Sequence, residues 1–370
     1  MVLLVASMSD DPFETTRLPN SPKKGRGAVS NRESRYSETI REKIDDRWWS
    51  EDIPSLPTIV TRESARSIIT HNRSPDIPFD QSINAYRGCE HGCIYCYARP
   101  GHAYMGLSPG LDFESRLFVK FDAAALLRKE LAKKTHRPSP LALGANTDPY
   151  QPIEKEWRVT RQVLELLQNC RHPVSITTKS ALIERDLDIL SAMAREHLAQ
   201  VQISLTTLDK GLARIMEPRA ASPQRRLQTI RLLAEAGVPV TVLVAPVVPI
   251  LTDAELETIL THAAAHGAIR ADYIMLRLPL ELKELFQEWL ETHVPLKARH
   301  ILARLCDIHG GKPYRSSFGL RQTGSGIYAE LIRKRFRLAL KKTGLNSIDV
   351  RLTSKLFRRP DDGPTQTSLF

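Results

Sequence analysis

The chain has 370 residues, 42% of them hydrophobic and 26% charged, with a net charge of +11. That balance is typical of a globular protein whose core is large enough to need no disulfide staples. No apolar run approaches the roughly 20 residues that cross a bilayer, and five cysteines, an odd count, fit secretion poorly, so the chain reads as cytoplasmic with no membrane partner.

Residues 1–78 are rich in Ser, Pro, Arg and Asp and carry little apolar period, which predicts an irregular arm. Trp48, Trp49 and the run Ala65 to Ile69 are its expected docking points. From residue 79 the texture changes. Short β-rich runs at Ser82–Ala85, Leu141–Ala145, Val174–Thr178, Val201–Leu205, Val240–Ala245 and Tyr273–Leu278 alternate with helical periods near 121–134, 157–169, 185–197, 223–236, 253–266 and 281–291. Ser222 followed by Pro223 is a helix entry, and Gly237 and Gly267 are helix stops. Alternation of this kind implies parallel strands with right-handed crossovers.

The predicted fold class is therefore α/β, a partial (β/α)6 TIM-like barrel over 79–294. An irregular N-terminal arm precedes it and a helical, basic C-terminal extension over 295–359 follows; 360–370 read as a frayed tail. Within the extension, Arg333, Lys334, Arg335, Arg337, Lys341, Lys342, Arg351, Lys355, Arg358 and Arg359 stand against Asp349 alone. Such a run reads either as a phosphate track or as a solvated helix face and tail.

The segment that carries chemistry is Gly88-Cys89-Glu90-His91-Gly92-Cys93-Ile94-Tyr95-Cys96-Tyr97, a C-x3-C-x2-C spacing in the loop after the first barrel strand. Active sites of such barrels lie at the C-terminal ends of the strands. Thiolates suit iron–sulfur clusters, and three cysteines on a [4Fe–4S] cube leave one iron without a protein ligand. S-adenosylmethionine can chelate that iron through its amino and carboxylate groups. An electron from the cluster then breaks the sulfonium bond and gives a 5′-deoxyadenosyl radical that takes a hydrogen atom from substrate. The competing reading is a structural Cys3His zinc completed by His91 or His102. Cys170 and Cys306 are too scattered for a second cluster and read as packed thiols.

Other strand ends offer further candidates. Thr147 and Asp148 read as a grip on the cofactor amino group or as turn residues. Lys179 reads as a cation paired with the cofactor carboxylate or as a solvated lysine. Ser204, on the polar side of the fourth strand with Gln202 and Thr206, suits a ribose hydroxyl or the carboxylate. Ala245 would let an adenine edge reach the backbone. Arg277 reads as a grip on the cofactor or a substrate anion, or as half of an ion pair inside the barrel.

C-x3-C-x2-C with Tyr95 just before the third cysteine resembles the signature of the radical SAM superfamily, over roughly residues 79–290. A finer resemblance is to the spore photoproduct lyase group, often labelled photolyase-like, and to an uncharacterised bacterial branch of it. It is carried by Ser82 to Cys89, the Thr147-Asp148 pair, Lys179 and Ser204. The resemblance implies cofactor contacts at Tyr95, Thr147, Asp148, Lys179 and Ser204, a flavodoxin- or ferredoxin-like electron donor, and a nucleic acid as substrate for repair-like lysis or modification. One departure stands out. In the lyases a cysteine just before the hydroxyl–acid pair returns a hydrogen atom to product, and here Asn146 occupies that place. Tyr97 and Tyr150 are the candidates to stand in. A radical enzyme acting on a peptide or small molecule, and a zinc-stapled nucleic-acid binding protein without catalysis, are the alternatives.

Overall fold

Each expected β-rich run contributes a strand built round buried residues: Gln81–Ile83 and Leu141–Leu143 are buried at every position, and Val174–Thr178 alternates. Val174, Ile176 and Thr178 are buried while Ser175 and Thr177 are half-buried. The computed structural model describes residues 16–17, 21–37, 44–45 and 56–360. In chain order, β1 (Thr16–Arg17) pairs antiparallel with β2 (Ile44–Asp45), and β3 (Ile59–Arg62), β4 (Ile69–His71), β5 (Gln81–Ile83) and β6 (Tyr86–Arg87) follow. Next come α1 (Leu111–Ser115), β7 (Arg116–Val119), α2 (Ala123–Ala132), β8 (Leu141–Leu143), α3 (Glu154–Trp157), α4 (Val159–Asn169), β9 (Val174–Thr178) and α5 (Leu187–Arg195). The chain goes on through β10 (Ala199–Ser204), α6 (Lys210–Met216), α7 (Pro223–Glu235), β11 (Val240–Val247), α8 (Leu256–Ala265), β12 (Arg270–Met275), α9 (Leu282–His293), α10 (Pro295–Ile308) and α11 (Gly326–Thr343).

One seven-stranded sheet runs β12-β11-β10-β9-β8-β5-β4. Its pairings from β5 to β12 are all parallel, and β4 closes one edge antiparallel to β5. β12 and β4 are its free edges, so the six parallel strands form an open, partial barrel, as the sequence predicts. Ser222 Oγ accepts from the Arg225 amide ahead of α7, with Pro223 in the first turn.

The differences have local causes. β12 begins three residues earlier than expected, because Arg270 and Asp272 hide its start in a charged stretch. Within the segment expected to be irregular, β3 joins β7 and β6 in a small three-stranded sheet. β4 is held there by Glu130, whose carboxylate accepts from the Ile68 and Ile69 amides at 2.6 and 3.2 Å. Ile68 and Ile69 are buried, as their expected docking role requires. Trp48, Trp49 and residues 361–370 lie outside the described residues.

The C-terminal extension does two jobs. Around residues 319–322 it spans the open side of the barrel. The Met275 amide at the end of β12 donates to Gln322 O (2.8 Å), and Arg321 meets Asp76, in the β4–β5 connection, at 2.6 Å. Beyond α11 it floors the barrel. The Asn346 amide donates to Ile269 O (2.9 Å), Thr353 to His197 O (3.0 Å) and Arg358 to Cys170 O (2.8 Å), all just ahead of strand starts. Phe357 packs edge-on against His136 and His172 there. No helix among the described residues is long and apolar enough to cross a membrane.

Candidate active site

The cysteine loop leaves the sheet at the C-terminal end of β5 and is pinned from several sides. The Cys89 amide donates to Phe113 O (2.9 Å) and the Ile94 amide to Met216 O (3.0 Å). Gln151, fully buried, accepts from the Glu90 amide (2.9 Å) and donates to Gly88 O (3.2 Å). Beneath the loop lies Arg99, fully buried, donating to Cys93 O (2.9 Å), Gly92 O (3.0 Å), Pro109 O (3.1 Å) and Gly110 O (2.9 Å) and pairing with buried Glu114. The other acceptor sites of Glu114 take the amides of Gly27 and Ala28, each at 2.8 Å. A Cβ on Gly27 would lie 1.8 Å from Gly92 O, so the N-terminal segment touches the loop backbone to backbone, which only glycine permits.

Cys89 and Cys93 are buried and Cys96 is half-buried. The three thiols share one space. Burial first, then the charges of Asp148, Cys93 and Cys96, push the Cys89 thiol well above its ordinary pKa. Burial likewise pushes Cys93 up to about 12, with Lys179 opposing and Glu217 and Cys96 adding to the rise.

The donor set discriminates between the two metal readings. A zinc ion draws thiolates to about 2.3 Å from one point. A closed structural zinc site needs a fourth ligand beside the three cysteines. His102 is committed elsewhere, its Nε2 2.9 Å from Arg116 O and its ring edge-on to Phe113. His91 turns Nδ1 toward Asp148 Oδ2 at 3.3 Å. Of the two histidines of the Cys3His zinc reading, His102 is therefore not available as the fourth ligand. A cube, with one cysteine per iron corner, takes thiols spread round a larger volume and asks for no fourth.

Around the loop, two buried carboxylates organise the strand ends. Asp148 accepts from Thr178 Oγ1 (2.6 Å) and the Tyr150 amide (2.9 Å) on Oδ1, and from the Lys179 amide (2.8 Å) on Oδ2. Burial alone would raise its pKa; the neighbouring His91 and these donors hold it down at about 2. Its oxygens are thus already engaged, tying the β8 and β9 ends to the cysteine loop. Glu217 accepts from Thr206 Oγ1 (2.9 Å) and from the Tyr95 hydroxyl and pairs with buried Arg226. It too sits near pKa 2, because Arg226 and Lys179 outweigh burial. Arg226 also donates to Ser204 O (3.0 Å).

The predicted residues fall as follows. Thr147 Oγ1 donates to Tyr86 O (3.1 Å). Half-buried Lys179 places Nζ 5.7 Å from the centre of the Tyr95 ring; burial lowers its pKa, but the charges of Cys93 and Glu217 win and the net shift is upward. Ser204 and Thr206 both donate to Ala245 O, at 3.2 and 3.0 Å, so the fourth and fifth strand ends are joined at the residues expected to meet the cofactor. The two tyrosines separate. Tyr97, 42% exposed, lies at the mouth beside Cys96 and donates to Ala145 O. Tyr150 is fully buried with its hydroxyl on Asp186 (3.0 Å), in the barrel wall. Asn146 is exposed, its amide on Asn84 Oδ1 (3.0 Å).

Sequence reading missed Arg99, Glu114, Gln151, Glu217 and Arg226. Arg226 had a signal. It occupies the buried stripe of α7 with Leu227, Ile230 and Leu233, and a charge in an apolar stripe calls for a carboxylate. The C-terminal basic run divides: on α11, Arg335 pairs with Glu257 at the start of α8, whereas the segment carrying Arg351 to Arg359 lies at the barrel floor, where Thr353 and Arg358 meet the residues ahead of strand starts.

Comparison with known proteins agrees with this geometry. The profile described as radical SAM superfamily matches residues 83–263. An uncharacterised protein of Mycobacterium tuberculosis is 37% identical over 240 residues, 64% of this chain and 69% of the relative. One of Methanocaldococcus jannaschii is 29% identical over 173 residues, 47% of this chain and 62% of that one. Among solved structures, spore photoproduct lyase complexed with dinucleoside spore photoproduct superposes with a TM-score of 0.53 at 17% identity, over 77% of this chain and 79% of the lyase. A mutant of the same enzyme with bound AdoMet and the dinucleoside gives 0.53 at 16% over the same shares. The chain belongs to the radical SAM superfamily, whose members use a [4Fe–4S] cluster and S-adenosylmethionine.

Proposed function

We propose that this radical SAM enzyme holds a single [4Fe–4S] cluster on Cys89, Cys93 and Cys96 and acts on a nucleic acid, by repair-like lysis or by modification. The observation that carries the cluster assignment is three cysteines on one hydrogen-bonded loop, near enough to feel one another's charge, with His102 committed to a backbone carbonyl. Bound there, the cluster and S-adenosylmethionine supply an organic radical that abstracts a hydrogen atom from substrate.

The chain's own residues prepare that site. Arg99 and Glu114 fix the loop backbone before any ligand arrives, so little ordering remains to be done on binding. Lys179, kept protonated by the charges around it, balances the cofactor carboxylate. Tyr95, anchored by Glu217 and Thr206, presents its ring beside Lys179 as a wall for the cofactor. Ser204 and Ala245 line the ribose and adenine side, with Thr147 beside the loop. Asp148 acts as a positioning residue, through the Lys179 amide and His91. Of the two candidate hydrogen donors, Tyr97 is the one beside Cys96 at the mouth. An acidic flavodoxin- or ferredoxin-like protein supplies the electron.

The nucleic-acid substrate is supported by the likeness in fold to spore photoproduct lyase and by the sequence match at the cysteine loop. Feeding deuterated candidate substrates to the reduced enzyme tests it. Deuterium in 5′-deoxyadenosine is expected from a nucleotide position; label arriving only from peptides or small molecules would replace this reading.

A further inference from the structure

Two residues past the end of β12 lies Arg277, whose surroundings differ from those of the other arginines near the mouth. Arg99 meets Glu114, Arg219 meets Glu90, Arg226 meets Glu217 and Arg35 meets Glu281. Arg277, half-buried, has no carboxylate partner among the described residues. Its guanidinium carbon lies 4.3 Å above the centre of the Tyr97 ring. The ion pair within the barrel that the sequence allowed is therefore not made.

Tyr97 follows Cys96 directly, and its hydroxyl is tied to Ala145 O beyond the end of β8. The ring thus lies between the ends of the second and sixth parallel strands, with the guanidinium over its face. Stacking of this kind fixes the plane of the group while leaving its N–H fork free, the geometry that suits a bidentate phosphate. A half-buried guanidinium without a counter-charge is costly to keep, so an anion is its expected ligand. The cofactor carboxylate already has Lys179 beside it. The last basic residues of the chain, Arg351 to Arg359, lie at the barrel floor, away from the mouth.

We infer that Arg277, stacked on Tyr97, is the binding residue for a backbone phosphate of the nucleic-acid substrate, next to the position attacked. This rests on the substrate reading above. An anionic group could also come from S-adenosylmethionine itself, and the test separates the two sources.

The test uses cluster-loaded, full-length protein. Affinity for fluorescein-labelled single-stranded DNA and RNA of about ten nucleotides, a length within the usual single-strand site size, is measured by anisotropy across a salt series. Affinity for S-adenosylmethionine is measured in parallel by equilibrium dialysis. Arg277→Gln is expected to weaken oligonucleotide binding roughly tenfold or more, as loss of a hydrogen-bonded charge does. It should also reduce the salt slope by about 0.7, the value for one phosphate contact on a single strand. Arg277→Lys should keep most of the slope while losing the bidentate fork, which separates lost charge from lost folding. Cofactor affinity should move less than twofold in either variant. Unchanged oligonucleotide affinity and slope in Arg277→Gln, with the parent binding well, would overturn this inference and leave the nucleic-acid reading standing. Lost cofactor affinity with unchanged oligonucleotide affinity would assign Arg277 to the cofactor instead. A parent protein that binds neither oligonucleotide would remove the nucleic-acid reading, and this inference with it.

Discussion

The mouth and the floor of the barrel solve the problem of charge in opposite ways. At the mouth, charge is sparse and, Arg277 apart, mostly buried and matched: Arg99 with Glu114, Arg226 with Glu217, Asp148 with its ring of donors. At the floor, charge is dense and solvated, as in Arg351 and Asp349, whose side chains are 85% and 63% exposed. Apolar and ring contacts such as Phe357 on His172 hold that part of the chain in place. The charge that dominates the sequence is thus not the charge that shapes the site. Buried pairs set geometry because breaking one strands the other; solvated pairs do not.

Four changes probe that contrast. The largest effect is expected from Cys93→Ala, which removes one corner of the cluster. Iron and sulfide content and 5′-deoxyadenosine formation should both fall to background, and full retention of iron would refute the three-cysteine assignment. Next comes Glu114→Ala, which leaves Arg99 buried without a counter-charge and frees the Gly27 and Ala28 amides. A loss of about 3–5 kcal/mol in unfolding free energy is expected, against under about 0.5 kcal/mol for Asp349→Asn at the floor. Equal losses in urea titrations would erase the distinction between the two regions.

Acid should find the mouth first. Glu217 has a folded pKa near 2, below the ordinary 4.5. A depressed carboxyl contributes its stability in full above about pH 4.5 and loses it as pH falls toward 2. At about 1.4 kcal/mol per pKa unit the contribution is ~3 kcal/mol. Melting curves of metal-free protein should therefore show steeper destabilisation between pH 4.5 and 2 in the parent than in Glu217→Gln; parallel curves would mean that the pair is not formed. The smallest effect expected at the mouth is that of Lys179→Ala, which should weaken S-adenosylmethionine about tenfold, or ~1.4 kcal/mol, with the cluster intact. Unchanged affinity by equilibrium dialysis would take Lys179 out of the site.

Much of the fold was legible because each of the six strand–helix units carries its own period. Val174 to Thr178 alternate, and α7 opens on Ser222-Pro223. The cysteine loop was legible because spacing is a local property. The supports of that loop were not. Glu114 sits in a five-residue helix and Gln151 in a turn, and neither has a sequence neighbour that announces a partner at residue 27 or 88. β3 and β4 were missed because short edge strands take their stability from backbone pairing and from Glu130, which leaves no apolar period to read. The location of the basic run was likewise invisible, since charge carries no address; only the bonds from Thr353 and Arg358 to the strand starts place its last part, Arg351 to Arg359, at the floor.

The central claim is that three thiols on a rigid loop hold a cube with one iron left for S-adenosylmethionine. The most direct measurement is chemical analysis of the anaerobically reconstituted protein followed by dithionite and S-adenosylmethionine. The account predicts about four irons and four sulfides per chain, a brown protein, and 5′-deoxyadenosine released with methionine. A colourless protein carrying one tightly bound zinc, with S-adenosylmethionine recovered intact, would contradict it.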